Sequence, residues 1–284
     1  MITRPVALLV AAVLVLIGPA GAQDEPERSI TNIAGDLYRF QNQFHFNVFL
    51  VTPDGIIVTD PINADAATWL KAELDTRFGV PVKYLVYSHD HVDHIAGGEV
   101  FADTATVVAH ENARVQIIGE QRPTAVPDVT FSDRMTLTLG GKTVELIYVG
   151  LGHSDNSIVM LFPEERALFA VDIVTVDRVP YQDLKNNYVE QWIAGLKQVE
   201  AIDFDILVPG HGVVGVPADV AAHRGYLEDL RAQVLTHMRA GKSVDEIKQL
   251  VNLDQYKDWG QFEAWSPLNV EGMYRHLSLY RRGN

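Results

Sequence analysis

The chain contains 284 residues, and 47% of them are hydrophobic, which is enough to form a large buried core. Acidic residues outnumber basic ones 37 to 23, giving a formal net charge of −14, and so negative a surface argues against nucleic acid as a partner. The chain has no cysteine, which excludes disulfides and thiolate metal ligands. Any bound metal must therefore use nitrogen and oxygen donors.

The N-terminal residues have the pattern of a secretory signal peptide. Arg4 precedes an apolar run over residues 6–17, and the small residues 20–22 follow. The run is shorter than the roughly 20 residues that a membrane-spanning helix needs. We predict cleavage after Ala22, no stable membrane anchor, and a periplasmic or secreted mature protein. Residues 23–284 would form a single catalytic domain with a helical C-terminal segment.

Strands and helices alternate in the first part of the chain, strands dominate the middle, and helices close it. Turn pairs such as Asp54-Gly55 and Gly140-Gly141 separate apolar runs that predict hairpins. This order favours two sheets packed face to face with helices outside. The predicted strands are residues 48–52, 56–59, 82–87, 106–109, 135–139, 142–149, 157–162, 166–171 and 206–208, and the predicted helices are residues 64–78, 111–118, 188–202, 216–240, 243–250 and 267–281.

Residues 88–98, SHDHVDHIAGG, place metal-binding side chains directly after the predicted strand over residues 82–87. In an extended segment alternate residues point the same way, so His89 and His91 can reach one metal. Asp93 and His94 follow a bend and can face a second metal. Such crowding of imidazoles and carboxylates costs stability unless something binds them, so the motif predicts a metal centre.

Three further side chains lie at strand ends or in glycine-flanked loops, where a sheet can gather ligands from distant parts of the chain. They are His153 in GLGHSDNS, Asp172 after LFAV, and His211 in PGHG. Together with the motif they suffice for two open sites rather than one closed structural site. The remaining histidines lack such context, and we expect structural roles for His45, His110, His223, His237 and His276.

HDHVDH, a later GH, an aspartate after an apolar strand and a final GHG resemble the metallo-β-lactamase superfamily in order and spacing. Asp60, after IIVT, is similar to the superfamily's early structural aspartate. The resemblance covers the mature chain to about residue 212, and it implies an α/β fold, a four-layer αββα sandwich. It also implies that His89, His91 and His153 hold one metal, that Asp93, His94 and His211 hold the other, and that Asp172 bridges them or binds the second.

The resemblance further implies a zinc-dependent hydrolase in which metal-bound hydroxide, oriented by Asp93, attacks a carbonyl. The stretch from His153 to Asp172 is similar to dizinc periplasmic metallo-β-lactamases, although those enzymes carry cysteine where Asp172 stands. An aspartate there is the glyoxalase II-like pattern. The lactamases also place a lysine where this chain has Thr175, and Arg178 is a possible substitute. Nitrogen and oxygen donors are harder ligands than a thiolate, so iron or manganese could replace part of the two Zn²⁺ ions.

The expected function is hydrolysis of a small-molecule substrate. The leading hypothesis is β-lactam ring opening, and this hypothesis includes an enzyme with only weak β-lactamase activity. Lactone or thioester hydrolysis on the same site is the alternative, and a non-catalytic metal carrier is the third reading. Phe44 and Phe46, within residues 41–47, are candidate substrate contacts on a flap, or they pack into the sheet. Thr175 and Arg178 would line the opposite wall. The sequence leaves the oligomeric state open.

Overall fold

The computed structural model of the protein describes residues 26–185 and 187–280, with only the backbone for Tyr280. The predicted signal peptide lies outside these residues. The strands form two sheets. The first sheet contains, in spatial order, β1 (Arg28–Ala34), β2 (Leu37–Asn42), β3 (His45–Thr52), β4 (Gly55–Thr59), β5 (Val82–Val86), β6 (Thr106–His110) and β7 (Val129–Phe131). The second contains β8 (Arg134–Leu139), β9 (Lys142–Tyr148), β10 (Ile158–Phe162), β11 (Ala167–Val171) and β12 (Ile206–Pro209).

Both sheets mix antiparallel and parallel pairing. In the first sheet β1 to β4 pair antiparallel, whereas β4 to β7 pair parallel because helices connect most of these strands. In the second sheet β8 to β11 are antiparallel, and β12 joins β11 in parallel. The bounds of the predicted strands are confirmed to within one residue, except that β3 begins three residues earlier than predicted. The strands β1, β2 and β7 were not predicted.

Seven α-helices accompany the sheets within the described part of the chain. The first shows why its boundaries were predictable. The Asn63 side chain accepts a hydrogen bond from the Ala66 amide at its start, and Gly79 ends it with φ 62°. Its buried face contains Ala66, Ala67, Leu70 and Leu74. The helices are α1 (Ala64–Phe78), α2 (Val92–Ile95), α3 (Glu111–Gly119), α4 (Val189–Glu200), α5 (Pro217–Arg239), α6 (Val244–Leu250) and α7 (Phe262–Tyr280).

Three hydrophobic clusters show the layer order. One fills the space between the sheets and includes Leu50 and Phe169. A second lies under α1 and α3 on the outer face of the first sheet, and a third lies under α4, α5 and α7 on the outer face of the second sheet. Each fully buried leucine or phenylalanine in these clusters stabilises the fold by about 1.5–3 kcal/mol. The predicted α/β class and αββα layering are therefore confirmed.

Helix α7 begins earlier than predicted. The predicted start was Pro267, and proline is a residue favoured in the first turn of a helix. The helix instead begins at Phe262 and includes Pro267 within its second turn. Phe262 and Trp265 pack against the core formed under the second sheet, and this packing extends the helix ahead of the proline. Tertiary packing thus outweighs the local signal.

Within residues 26–185 and 187–280, no helix is both long and apolar enough to cross a membrane.

Candidate metal centre

The predicted ligands converge at one edge of the two sheets. The loop and short helix α2 that follow β5 carry His89, His91, Asp93 and His94. His153 precedes β10, while Asp172 and His211 follow the parallel neighbours β11 and β12. Because the carboxyl ends of parallel strands meet at one edge of a sheet, these residues come together although they are far apart in sequence.

One group of donor atoms contains His89, His91, His153 and Asp172, and these atoms all lie within 4.8 Å of one another. The His91 Nδ1 atom is 3.0 Å from His153 Nε2, and that nitrogen is 3.6 Å from Asp172 Oδ2. Two ligands of a tetrahedral ion bound at about 2.1 Å lie about 3.4 Å apart, so these spacings suit a single cation.

A second group contains His94, Asp172 and His211, again within 4.8 Å of one another. The His94 Nε2 atom lies 3.2 Å from Asp172 Oδ2 and 3.3 Å from His211 Nε2, and Asp172 Oδ1 lies 3.6 Å from the same His211 atom. Asp172 therefore belongs to both groups. Asp93 lies at the rim, where its Oδ2 atom is 3.7 Å from His94 Nε2 and 3.5 Å from His211 Nε2.

The far sides of three imidazoles face oxygen atoms of the protein. His94 Nδ1 faces Asp60 Oδ2 at 3.4 Å, His211 Nδ1 donates to the Phe44 carbonyl at 2.9 Å, and His89 Nδ1 lies 2.8 Å from Ser88 Oγ. Such partners fix the ring orientation and leave the other nitrogen free for a metal. Asp60 is fully buried and also accepts a hydrogen bond from the Ser88 amide. It therefore holds the start of the histidine motif, as the resemblance predicts.

A second carboxylate, which sequence reasoning did not single out, links the motif to the His153 loop. Asp90 accepts hydrogen bonds from Asn156 Nδ2 at 2.8 Å and from Arg122 Nη2 at 2.9 Å, and its amide donates to Asn156 Oδ1 at 2.9 Å. The role of Asp90 could have been found from the sequence HDH. Because alternate residues of an extended segment point to opposite sides, Asp90 must point away from the ligands His89 and His91.

The electrostatics favour neutral imidazoles in one group and ionised carboxylates in both. Burial lowers the pKa of His89 well below its usual value, and burial lowers that of His153 to about 3. Burial alone would raise the pKa of Asp172, but the neighbouring His94 and His211 hold it well below its usual range. Burial opposes ionisation of Asp93 too, and hydrogen bonds from His211 and His45 outweigh it and lower its pKa. Neutral imidazole and carboxylate are the forms that bind metal.

Unpaired polar atoms provide the test of fit for metal ions. His89 Nε2 and Asp172 Oδ1 are buried without a hydrogen-bond partner. A buried unpaired polar atom costs about 1–3 kcal/mol, and a bound cation would remove this cost at both atoms. The donor set is entirely nitrogen and oxygen, as zinc, iron or manganese accept. The residues therefore fit a metal centre with two groups of ligands.

Backbone geometry at the ends of β11 and β12 places Asp172 and His211. Val171 has φ 47°, a left-handed conformation that is unfavourable for a β-branched residue by about 1–3 kcal/mol. Its carbonyl accepts a hydrogen bond from the Gly210 amide at 3.0 Å, and a Cβ at Gly210 would lie 2.8 Å from the His94 ring. Gly210, the first glycine of PGHG, is thus required because the His94 ring lies so close to its backbone.

His45 lies at the centre, and the structural role expected for it from the sequence is therefore corrected. Its Nε2 atom is 3.5 Å from Asp93 Oδ2, and its ring centroid is 4.8 Å from that of His211. His45, Asp93 and His211 form a third group of atoms that fit a metal. A lone histidine that opens a strand has no distinctive spacing, so its proximity to the motif follows only from the fold.

The other four histidines for which the sequence predicts structural roles belong to none of the three donor groups. His110 accepts a hydrogen bond from the Asn112 amide and so caps α3, and His276 lies 3.0 Å from the Leu184 carbonyl. His223 is fully buried in α5, with Nδ1 2.9 Å from Thr175 Oγ1. His237 lies in the last turn of the same helix.

The candidate substrate contacts fall into two pairs. Phe44 is 79% exposed at the tip of the β2–β3 hairpin, and its carbonyl contacts His211, whereas the Phe46 ring stacks under the Arg39 guanidinium at 3.5 Å. Thr175 Oγ1 donates to the Arg178 carbonyl at 2.7 Å and contacts His223, so this hydroxyl is already paired within the protein. The Arg178 guanidinium lies over the Trp265 ring at 4.7 Å.

Sequence comparison places residues 44–211 within the metallo-beta-lactamase superfamily. The chain is 25% identical to 2,4-dinitroanisole O-demethylase subunit alpha of Nocardioides sp. (strain JS1661), over 94% of this chain and 84% of that protein. It is 25% identical to the type 2 metallo-beta-lactamase of Elizabethkingia meningoseptica, over 64% of this chain and 76% of that one. It is 26% identical to hydroxyacylglutathione hydrolase of Francisella tularensis subsp. novicida (strain U112), over 74% of this chain and 78% of that one.

Structure comparison gives the same fold. The metallo-beta-lactamase from Pontibacter korlensis superposes with a TM-score of 0.65 at 21% identity, covering 71% of this chain and 99% of that one. The two proteins therefore share the arrangement of both sheets. With its His/Asp donor cluster at the shared sheet edge, the chain belongs to the metallo-beta-lactamase superfamily of hydrolases.

Proposed function

We propose that the protein is a dinuclear zinc hydrolase that opens β-lactam rings. The observation that carries the dinuclear centre is the position of Asp172, whose carboxylate belongs to two donor groups, and the similarity to a type 2 metallo-beta-lactamase supports β-lactams as substrates. A carboxylate shared in this way suits two cations held side by side. Bound metal ions would supply Lewis acidity and lower the pKa of water.

The protein's own groups define how such a site would handle a substrate. Asp93 is half exposed, with a lowered pKa, so its carboxylate is available to accept a hydrogen bond from an attacking water and orient it. His89 is buried, and the His153 and Asp172 side chains are only 13% and 14% exposed. The exposed Phe44 provides apolar contact beside His211, and Arg178, on the Asp172 side, provides a positive charge for a substrate carboxylate.

Lactone or thioester hydrolysis is the second candidate, and Asp172 itself favours it. Asp172 stands where the lactamase-like pattern has cysteine, whereas the glyoxalase II-like pattern has aspartate there. The similarity to a hydroxyacylglutathione hydrolase supports the same candidate. The similarity to a 2,4-dinitroanisole O-demethylase subunit adds an aryl methyl ether to the substrates that deserve an assay.

Export forms a separate part of the proposal. Residues 1–22 have the composition of a cleaved signal peptide, and β-lactams act in the periplasm. Cell fractionation followed by N-terminal sequencing tests this part, with Gln23 as the expected first residue. Recovery of uncleaved protein in the cytoplasm would contradict export without affecting the proposed chemistry.

Steady-state assays with and without a chelator test the activity. The substrates are a chromogenic cephalosporin, a lactone, an acyl-glutathione thioester and 2,4-dinitroanisole, and metal content is measured on the same preparation. We expect two equivalents of Zn²⁺ and chelator-sensitive cephalosporin turnover. Turnover of another substrate alone would replace the β-lactam assignment, and metal binding without any turnover would identify a metal carrier.

Asp93→Asn distinguishes an enzyme from a carrier. The substitution keeps the size of the side chain but removes its charge, so an enzyme loses turnover while Asp172 and the histidines still bind metal. A hundredfold fall in kcat with at least one metal retained supports catalysis. Unchanged turnover would show that Asp93 does not act on the reacting groups.

A further inference from the structure

The loop over residues 177–184, which follows β11, is bound by helix α7. Asn269 of this helix is fully buried, and its Nδ2 atom donates to the Pro180 carbonyl at 3.0 Å and also to the Gln182 carbonyl. Its Oδ1 atom accepts a hydrogen bond from the Tyr226 hydroxyl at 2.6 Å. Both ends of the amide are therefore paired, and the side chain is fixed against the loop.

Two further side chains of α7 bind the end of the same loop. Arg275 Nη2 donates to the Asp183 carbonyl at 2.6 Å, and His276 Nε2 donates to the Leu184 carbonyl at 3.0 Å. Residues seven apart lie on one side of a helix, so Asn269 and His276 share a face. This helix thus supplies donors to the loop from its middle to its end.

The loop has a backbone conformation that needs such support. Gln182 and Leu184 have φ angles of 42° and 54°, in the left-handed region that residues other than glycine rarely adopt. Such conformations persist only where the surrounding structure holds them. The carbonyls of these two residues are among those that accept from α7. We therefore expect the loop to rearrange when its contact with α7 is lost.

Gly272 brings the backbone of α7 up to the loop. It lies three residues after Asn269, within the same helix. A Cβ at this position would lie 1.9 Å from the carbonyl oxygen of Asp183, a backbone atom that can move only if the loop moves. Alanine is a better helix former than glycine, so the loop and not the helix explains glycine at this position.

The end of the loop is bonded in turn to the residues around a metal ligand. The Leu184 carbonyl also accepts a hydrogen bond from the Asn187 amide at 3.3 Å. Asn187 Nδ2 donates to the His153 carbonyl at 2.6 Å, and the Tyr188 amide donates to the Gly152 carbonyl at 2.8 Å. A continuous path of hydrogen bonds therefore leads from α7 to His153.

We propose that helix α7 positions the metal ligand His153 through the 177–184 loop and Asn187. This inference rests on the proposed metal-dependent function, and it makes Asn187 and Asn269 positioning residues of the centre. Helix α7 lies beyond residues 44–211, the part of the chain that matches the superfamily. Residues outside that match thus take part in holding the centre.

Hydrogen exchange of the metal-free protein tests the path, with Gly272→Ala as the variant. The added methyl group must displace the loop, whereas alanine favours the helix itself. We expect amide exchange to become about 10-fold faster both in peptides from residues 177–184 and in peptides from residues 151–157. Faster exchange in residues 177–184 alone overturns the link to His153, and unchanged exchange in both overturns the role of α7.

Gly225→Ala is the matched control for this experiment. Gly225 also lies inside a helix, α5, but a Cβ there would meet only the Tyr256 hydroxyl oxygen, at an ordinary contact distance of 3.5 Å. We expect this variant to exchange as the wild type does in both sets of peptides. Faster exchange in the control as well would show that any added methyl group in the helical layer has this effect, and would overturn the specific role of Gly272.

Zinc affinity provides the readout at the metal centre, measured by competition with a fluorescent zinc chelator. The variants are Gly272→Ala and Asn187→Leu, which keeps a similar size but removes the N–H donor to His153. We expect both to bind Zn²⁺ about 10–100-fold more weakly than Gly225→Ala, with a cooperative melting transition retained. Wild-type affinity in Asn187→Leu overturns the path. A wild type that binds no zinc contradicts the proposed function, whereas exchange in the metal-free protein decides the role of α7 separately.

Discussion

The two sheets supply their ligands to the metal centre in different ways. The first sheet delivers four candidates, His89, His91, Asp93 and His94, from one short loop and helix after β5. The second delivers His153, Asp172 and His211 from three separate strand ends. The first set is therefore placed by local chain geometry, and the second by the packing of a whole sheet and its covering helices.

The supports behind the two sets differ in the same way. Behind the motif lie buried carboxylates, with Asp60 facing His94 and Asp90 bonded to Asn156. Behind Asp172 lies the helical layer: Trp192 Nε1 donates to the Ile173 carbonyl at 2.9 Å, and His223 contacts Thr175. Charge orients the first set, whereas packing and neutral hydrogen bonds orient the second.

Removal of Asp172 is the substitution with the largest expected effect, because it removes a donor from both groups. For Asp172→Ala we expect loss of the second equivalent of metal, weaker binding of the first, and a fall in turnover of about a thousandfold or more, since even partners behind the ligands contribute 10–100-fold. Metal analysis by mass spectrometry and steady-state kinetics measure both. Asp133→Ala, at an exposed position that belongs to none of the donor groups, is the control. Wild-type metal content in Asp172→Ala would mean that each set holds its ion alone.

The contrast between the sheets explains which parts of the site could be predicted from sequence. HDHVDH is visible because its spacing is local, and His153, Asp172 and His211 were predicted because each follows or precedes a recognisable strand. His45 could not be predicted, since its place beside Asp93 depends on how the β2–β3 hairpin contacts Gly210. The direction of the Thr175 hydroxyl likewise depends on the turn after the strained Val171 and on a helix far along the chain.

The fold shows a similar division. Strands with continuous apolar runs, such as β4 and β11, were predicted almost to the residue because both their faces are buried. The edge strand β1 was not predicted, because residues such as Asn32 leave it half polar and its strand form depends on pairing with β2. Local pattern thus predicts the central strands, and tertiary contacts decide the edges.

Asp60→Asn tests the charged support of the first set and should have an intermediate effect. The amide still accepts the hydrogen bond from the Ser88 amide, but it loses the negative charge facing His94. We expect metal affinity to fall 10–100-fold with little change in fold. Competition with a fluorescent zinc chelator measures the affinity. Asp54→Asn, in the exposed β3–β4 turn, should bind metal as the wild type does. Equal affinities for both variants would show that His94 needs no charged partner.

His223→Leu tests the packed support of the second set through the pH dependence of stability, the smallest effect of the three. Burial lowers the pKa of His223 to about 3, so the folded protein keeps it neutral while the unfolded chain protonates it near the ordinary value of 6.5. The unfolded state then binds more protons, and stability must fall as the pH drops below about 6.5. The expected contribution is about 1.4 kcal/mol per pH unit, or roughly 2 kcal/mol between pH 6.5 and 5.

Urea unfolding of His223→Leu and the wild type at several pH values between 5 and 7.5 measures this contribution, because all other titrating groups are shared. The variant should lose less stability on acidification, by up to one proton in the slope. His237→Leu, in the last turn of the same helix, is the matched control. Parallel curves for all three proteins would show that His223 is protonated in the folded state. The helical layer behind Asp172 would then accommodate a buried charge, as the region around His94 and Asp60 does.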